Sequence, residues 1–316
     1  MRLRITHDTR YRYQPPVLTA LHMAHLTPPP TRCQQRLDAR LDVQPEPLSR
    51  TESLDIYRNV RSFFEIASRH DSLFVRASSL VHTRAPDAAD SQVAWEAVRD
   101  AFVYHVGAEW HPAAEFVYPS HHVHPGEAFA DYARPSFTPG RPLIEAAREL
   151  TQRVHQDFDY VSHSTQVNTP AIEALQQRRG VCQDFAHVML ACLRALGLPA
   201  RYVSGYLLTQ PPPGQPRLVG SDASHAWVSV FLPDLAAQSG GHGWYDLDPT
   251  NNRHGWSTPG EDFVRLAVGR DYADISPLRG VIHGGAGHRL EVGVTVEPCD
   301  AATLAEAPAL PIPPLD

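Results

Sequence analysis

Cys182, His225 and a pair of carboxylates, Asp246 and Asp248, are side-chain types that together can activate a thiol for nucleophilic attack. Cys182 stands in "RRGVCQDFAHVMLACLRALGLP", two residues after a glycine and at the head of an apolar run. The spacing predicts that Gly180 closes one helix and Cys182 opens the next. At a helix start, unpaired N–H groups and the positive end of the macrodipole favour thiolate. The dipole contributes only about 0.3–1 kcal/mol, less than the roughly 1.36 kcal/mol that moves a pKa by one unit. A nearby imidazole would supply the remainder.

"SDASHAWVSVFLP" offers that imidazole. His225 opens a predicted strand whose Ala226, Val228 and Val230 point into the core, leaving His225, Trp227 and Ser229 on the opposite face, open to a cleft. In "GWYDLDPTNN", Trp244, Asp246 and Asp248 lie on one side of a further strand. Carboxylates two residues apart are separated by about 6–7 Å along a strand, so only one can hold the ring. Asp248, at the strand end before Pro249, is the first candidate and Asp246 the second.

The elements that must bring these groups together follow from hydrophobic periodicity. Residues 1–85 alternate with period two, as in "LDARLDV", "SFFEIAS" and "LFVRASSLVHT", and predict a β-rich domain. Residues 86–140 are mixed, with a short helix over 92–103, and are taken as a connector. From "TPGRPLIEAARELTQRVHQDF" the period becomes helical, with Pro142 in the first turn. "TPAIEALQQRRG" repeats the pattern: Thr169 caps, Pro170 sits at N1 and Gly180 ends the helix. The helix opened by Cys182 carries Phe185, Ala186, Met189, Leu190, Leu193 and Leu196 at three- and four-residue steps, and stops at Gly197. Strands follow in "ARYVSGYL", "HAWVSVFL" and "GWYDLD", then in the alternation of Leu290, Val292, Val294 and Val296. Helices followed by strands in residues 141–298 make this half an α+β domain, and 299–316 is a proline-rich tail.

"RRGVCQDFAHVMLACLRALGLPARYVSGY", "SHAWVSVFLP" and "GWYDLDPTN" resemble, in order, the cysteine, histidine and aspartate blocks of the transglutaminase-like superfamily. "HDTRYRYQPPV" and "LDIYRNVRSFFEI" resemble the N-terminal β domain of its bacterial branch, and "VGRDYADISPLRGVIHGGAGH" its closing segment. Arg58 departs from the pattern, since members more often carry glycine before Asn59; the histidine-laden "YPSHHVHPGEAF" loop is a second departure. The resemblance implies a papain-like α+β core, helices packed on an antiparallel sheet, preceded by a β sandwich or barrel. It also implies Cys182 as nucleophile, His225 as general base and acid, and Asp248 as orienter of the ring, acting on peptide-like substrates through an acyl-enzyme. Bacterial members look more like proteases or amidases than cross-linkers, so hydrolysis is expected over transfer. A binding or assembly protein built on the same core is the alternative. The backbone N–H of Cys182 is a candidate oxyanion donor.

Other residues have plainer readings. Cys192 is a small core hydrophobe, and Asp184 is a dipole partner that opposes thiolate by like charge. His187 is packed or cleft-lining; Trp227 and Tyr206 read as core aromatics, with Trp227 also a candidate wall of a substrate groove. His105, His111, His121, His122 and His124 lack the spacing of a helical metal site, and the glycines of "GVIHGGAGHRL" do not form a nucleotide loop. No metal and no cofactor are expected.

A net charge of −7 without long runs of one sign disfavours nucleic acid or an anionic membrane as main partner, which leaves a protein or peptide substrate and an open question of homo-oligomerisation. The N-terminal residues carry no apolar segment of the signal-peptide kind, and four cysteines without a CxxC pair argue against a disulfide framework; a cytoplasmic protein is expected. All 28 basic residues are arginine, so a lysine-dependent acyl transfer could not cross-link this chain through its own side chains.

Overall fold

The computed structural model describes residues 1–162, 167–209 and 223–299; the tail expected at 299–316 lies outside them except for Cys299. In chain order come five strands, β1 (Arg2–Thr27), β2 (Gln34–Gln44), β3 (Ser49–Leu54), β4 (Val60–Ile66) and β5 (His70–Thr83). A helical stretch follows with α1 (Trp95–Ala101), α2 (Glu127–Ala133), α3 (Leu143–Asp157), a short β6 (Asp159–Tyr160), α4 (Ala171–Gln177), β7 (Arg179–Gly180) and α5 (Cys182–Ala195). Then come β8 (Ala200–Leu207), β9 (Ser224–Phe231), α6 (Pro233–Gln238), β10 (Trp244–Asp248), β11 (Arg253–Trp256), β12 (Phe263–Gly269), α7 (Tyr272–Ile275), β13 (Leu278–Gly284) and β14 (Gly287–Pro298). The fold is α+β, helices packed on an antiparallel sheet and preceded by a second, curled β sheet.

The N-terminal sheet is organised on β1. Its first half lies between β5 and β14, its second between β4 and β13, and it changes both partners around Pro15 and Pro16, which have no N–H to give a ladder. Strands β13 and β14 therefore complete the N-terminal sheet, although residues up to 298 read from sequence as part of the second half. The 86–140 segment is more than a connector: Val98, Val123, Phe129, Tyr132 and Phe137 are buried in the same core as α3 and α5.

The second sheet has the order β11-β10-β9-β8-β12, all antiparallel. Helix α5 packs on one face, its buried apolar residues sharing a core with Ala226, Val228 and Val230 of β9. The opposite face is covered as well. Trp227 is buried against Val203, Phe263 and Val268, with Tyr57 of the N-terminal domain beside them. That face is thus closed by the N-terminal domain at Trp227 and Ser229, and Trp227 walls no groove.

The N-terminal domain also finishes the exposed edge of this sheet. Asn59 donates from Nδ2 to the Val268 carbonyl at 2.7 Å and accepts the Val268 N–H at 2.8 Å. Gln34 does the same to Arg265, at 2.9 and 2.8 Å. Two side-chain amides so pair edge-strand backbone that would otherwise be unsatisfied.

Local signals at the helix starts need adjustment. Pro142 and Pro170 occupy the N-cap, where backbone stays extended, with ψ of 132° and 139°. Helix α4 ends at Arg178, in the left-handed region with φ 53°, and not at Gly180. Gly180 is needed for a different reason: a Cβ there would lie 2.7 Å from the Asp184 side chain.

Gly205 faces the same kind of restriction. A Cβ would stand 2.2 Å from the Val264 carbonyl oxygen and 2.5 Å from the Trp227 ring. Gly205→Ala is expected to lower stability by about 3 kcal/mol or more, because rigid backbone blocks the added atom. A urea midpoint unchanged from the parent protein would refute this.

Candidate active site

Cys182 is the first residue of α5, after Val181 at the N-cap. Asp184, in the same turn, turns its carboxylate back to accept the Val181 N–H at 2.8 Å and is buried. It caps the helix, a more specific role than that of a dipole partner. Cys182 is partly exposed, and its own N–H is a first-turn donor that the helix cannot satisfy.

The structure brings Cys182, His225 and Asp248 together. The imidazole Nε2 lies 2.9 Å from Asp248 Oδ2, and the ring is hydrogen-bonded to the Cys182 side chain. With Nε2 held by a carboxylate, the neutral ring carries its proton there and presents the Nδ1 lone pair to the thiol. Burial by itself lowers the His225 pKa, but the Asp248 charge and hydrogen bond, with those of Cys182, outweigh it and raise the value to about 10. Burial raises the Asp248 pKa, yet the His225 charge and the donors around the carboxylate bring the net shift below the usual range.

Asp248 is completely buried and fully used. Oδ1 accepts the N–H groups of Thr250 at 3.0 Å and Asn251 at 3.3 Å, while Oδ2 accepts Asn251 Nδ2 at 2.8 Å in addition to the imidazole. Asn251, whose Nδ2 also lies 3.3 Å from His225 Nε2, was not singled out from the sequence. The available signal was its position three residues beyond the aspartate in a turn, where an Asx side chain collects nearby N–H groups.

Asp246 is not the ring's partner. Its oxygens accept from Trp227 Nε1 at 3.1 Å and Ser229 Oγ at 2.5 Å, and burial raises its pKa. Trp227 in turn stacks near His225, with centroids 6.1 Å apart and planes at 27°, and Phe263 packs against both rings, 5.8 Å from the imidazole and 5.5 Å from the indole. Asp246 therefore steadies the tryptophan that supports the imidazole.

The remaining candidates fall outside the contact of thiol and imidazole. Cys192 is buried and its thiol is pushed up to about 12 by that burial. His187 is buried between Tyr202 and His122, accepts the Tyr272 N–H at 3.3 Å, and is lowered to about 3 by burial. Tyr206 is a core aromatic whose hydroxyl meets His7 Nδ1 at 2.9 Å. His121 and His122 stack edge to face, His124 lines a small cavity beside them, His111 caps a short turn through Nδ1, and His105 is exposed.

Residues 130–249, which include all three groups, match the transglutaminase-like superfamily, and residues 3–82 match the bacterial transglutaminase-like N-terminal region. The chain belongs to the transglutaminase-like superfamily. A full-length relative within it, an uncharacterized protein of Mycobacterium tuberculosis, is 40% identical and aligned over 96% of this chain and 95% of its own. A protein-glutamine gamma-glutamyltransferase of Pseudomonas aeruginosa is 32% identical over 136 residues, 42% of this chain but 19% of that protein. Among solved structures, one named "Putative Cysteine Protease from Cytophaga hutchinsonii" superposes with a TM-score of 0.67 at 21% identity, covering 95% of this chain and 92% of that one. That likeness is one of fold.

Proposed function

We propose that this protein is a thiol-dependent amide hydrolase acting on peptide-like substrates, with acyl transfer to an amine as the competing outcome. The observation that carries the reading is the hydrogen-bonded succession of Cys182, His225 and Asp248 at a helix start. His225, its pKa raised to about 10, already holds at Nδ1 the proton given up by Cys182, and the thiolate sulfur adds to the amide carbonyl. The Cys182 N–H stabilises the oxyanion. Collapse breaks the C–N bond, and the amine leaves with the proton held by His225. A thioester acyl-enzyme remains. Water then adds to it as His225 accepts a proton, and the carboxylic acid departs as the thiol is restored.

Hydrolysis is favoured over transfer because Cys182 is partly exposed, so water reaches the thioester without an escorting amine site. The transferase relative supports keeping transfer as the second fate. The test is mass spectrometry of products from a glutamine-containing peptide library incubated with the enzyme and a primary amine. Acid products should exceed amine-bearing ones. A predominance of amine-bearing products would reassign the protein as a transferase, and no product at all would remove the catalytic reading.

A further inference from the structure

Away from the thiol, a cavity of about 800 Å³ opens between the N-terminal domain and the second sheet. Among the described residues five arginines line it, Arg32, Arg36, Arg58, Arg201 and Arg265, against one carboxylate, Glu52, with Arg32 already paired to Asp87 outside the lining. In a protein of net charge −7 this is a local inversion of sign.

Two of these guanidinium groups are unusual. Arg201, on β8, is only 9% exposed, and Arg265 lies on β12, the edge strand that pairs directly with β8. The Nε of each is buried with no hydrogen-bond partner. Arg201 lies with its guanidinium carbon 4.1 Å from the centroid of the Trp244 ring, which fixes its plane. Asp246 acts on both through space, but its oxygens are already taken by Trp227 and Ser229. Burying an unpaired charge is strongly unfavourable, and two near each other repel. Arg58 adds a third sign of selection for charge: its backbone sits at φ 66°, a conformation glycine adopts freely and arginine does not.

We propose that this cavity binds a small molecule bearing more than one anionic oxygen group, a phosphate ester or a polycarboxylate. Planar guanidinium forks match the geometry of such oxyanions, and the ligand supplies the counter-charge that Asp246 alone does not. Sites of this size at a domain junction are common places for small ligands.

The test uses the full chain with pyrophosphate and with citrate, each against sodium chloride at equal ionic strength, read by calorimetry and by melting temperature. At least one anion should bind saturably and raise the melting temperature; which one distinguishes phosphate from carboxylate chemistry. Arg201→Met and Arg58→Gly should each weaken binding roughly tenfold or more. Arg58→Gly relieves its backbone, so loss of binding there cannot be ascribed to misfolding. Cys182→Ala should bind like the parent, which separates this site from the proposed chemistry. Absence of saturable binding of both anions, or undiminished binding by both arginine variants, would overturn the proposal.

Discussion

Cys182→Ala is expected to reduce peptide-amide turnover by about 10⁴-fold or more, to the level that oxyanion donors and binding sustain without a nucleophile. The sulfur is the atom that forms the acyl-enzyme, so no thioester adduct should be detectable by intact mass in the variant. Fold stability should change little, since Cys182 is only partly buried at the first position of α5. The other cysteines supply the controls. Cys192 is sealed in the core and Cys33 is buried, while Cys299 is partly exposed like Cys182. Alkylation by iodoacetamide must therefore be mapped by peptide: loss of turnover should track modification of Cys182, and Cys299→Ala should retain full activity. Turnover that survives in Cys182→Ala would eliminate covalent catalysis by this thiol.

The parts of the site legible in the sequence are those written within single elements. The three- and four-residue apolar steps of α5 and the alternation of β8 and β9 place Cys182 at a helix start and His225 at a strand start without reference to anything distant. The place of Asp248 at the strand end before Pro249 already ranks it ahead of Asp246, but both lie on one side of β10, and which donors surround each carboxylate is legible only in the structure. What covers each face was also hidden. Alternation in β9 separates Trp227 from Val228, but only the packed N-terminal domain shows that the Trp227 side is closed. Pairing of residues 278–298 with β1 joins the two ends of the chain, and a strand pattern carries no record of its partner. Arg178 ends α4 in a left-handed conformation, a role that sequence rules give to the nearest glycine.

Asp248→Asn separates charge from shape at the same site, and its effect is expected to be nearly as large, a fall in turnover of about 10³–10⁴-fold. A carboxamide offers one acceptor oxygen where the carboxylate offers two. At least one of the donors from His225, Thr250 and Asn251 then meets an amide N–H₂ or goes unpaired. The ring loses its orientation, and the imidazolium loses its counter-charge. The pH dependence of stability should change sign with it. In the parent protein the His225 pKa is raised from 6.5 to about 10, so its contribution is complete below pH 6.5 and declines as pH rises toward 10. Asp248, whose pKa is lowered from 3.8, contributes stability above that value that is lost as pH falls through its folded pKa. Without the carboxylate, burial, the largest single influence on the imidazole, is opposed only by the weaker effect of Cys182, and the pKa is expected to fall below 6.5. The folded variant then binds fewer protons than the unfolded chain, and its stability falls as pH drops through the unfolded histidine range. Urea midpoints at roughly pH 5, 7 and 9 distinguish the cases: the parent should weaken from 7 to 9, and the variant from 7 to 5. Parallel profiles in the two proteins would mean that Asp248 does not hold the charge of His225.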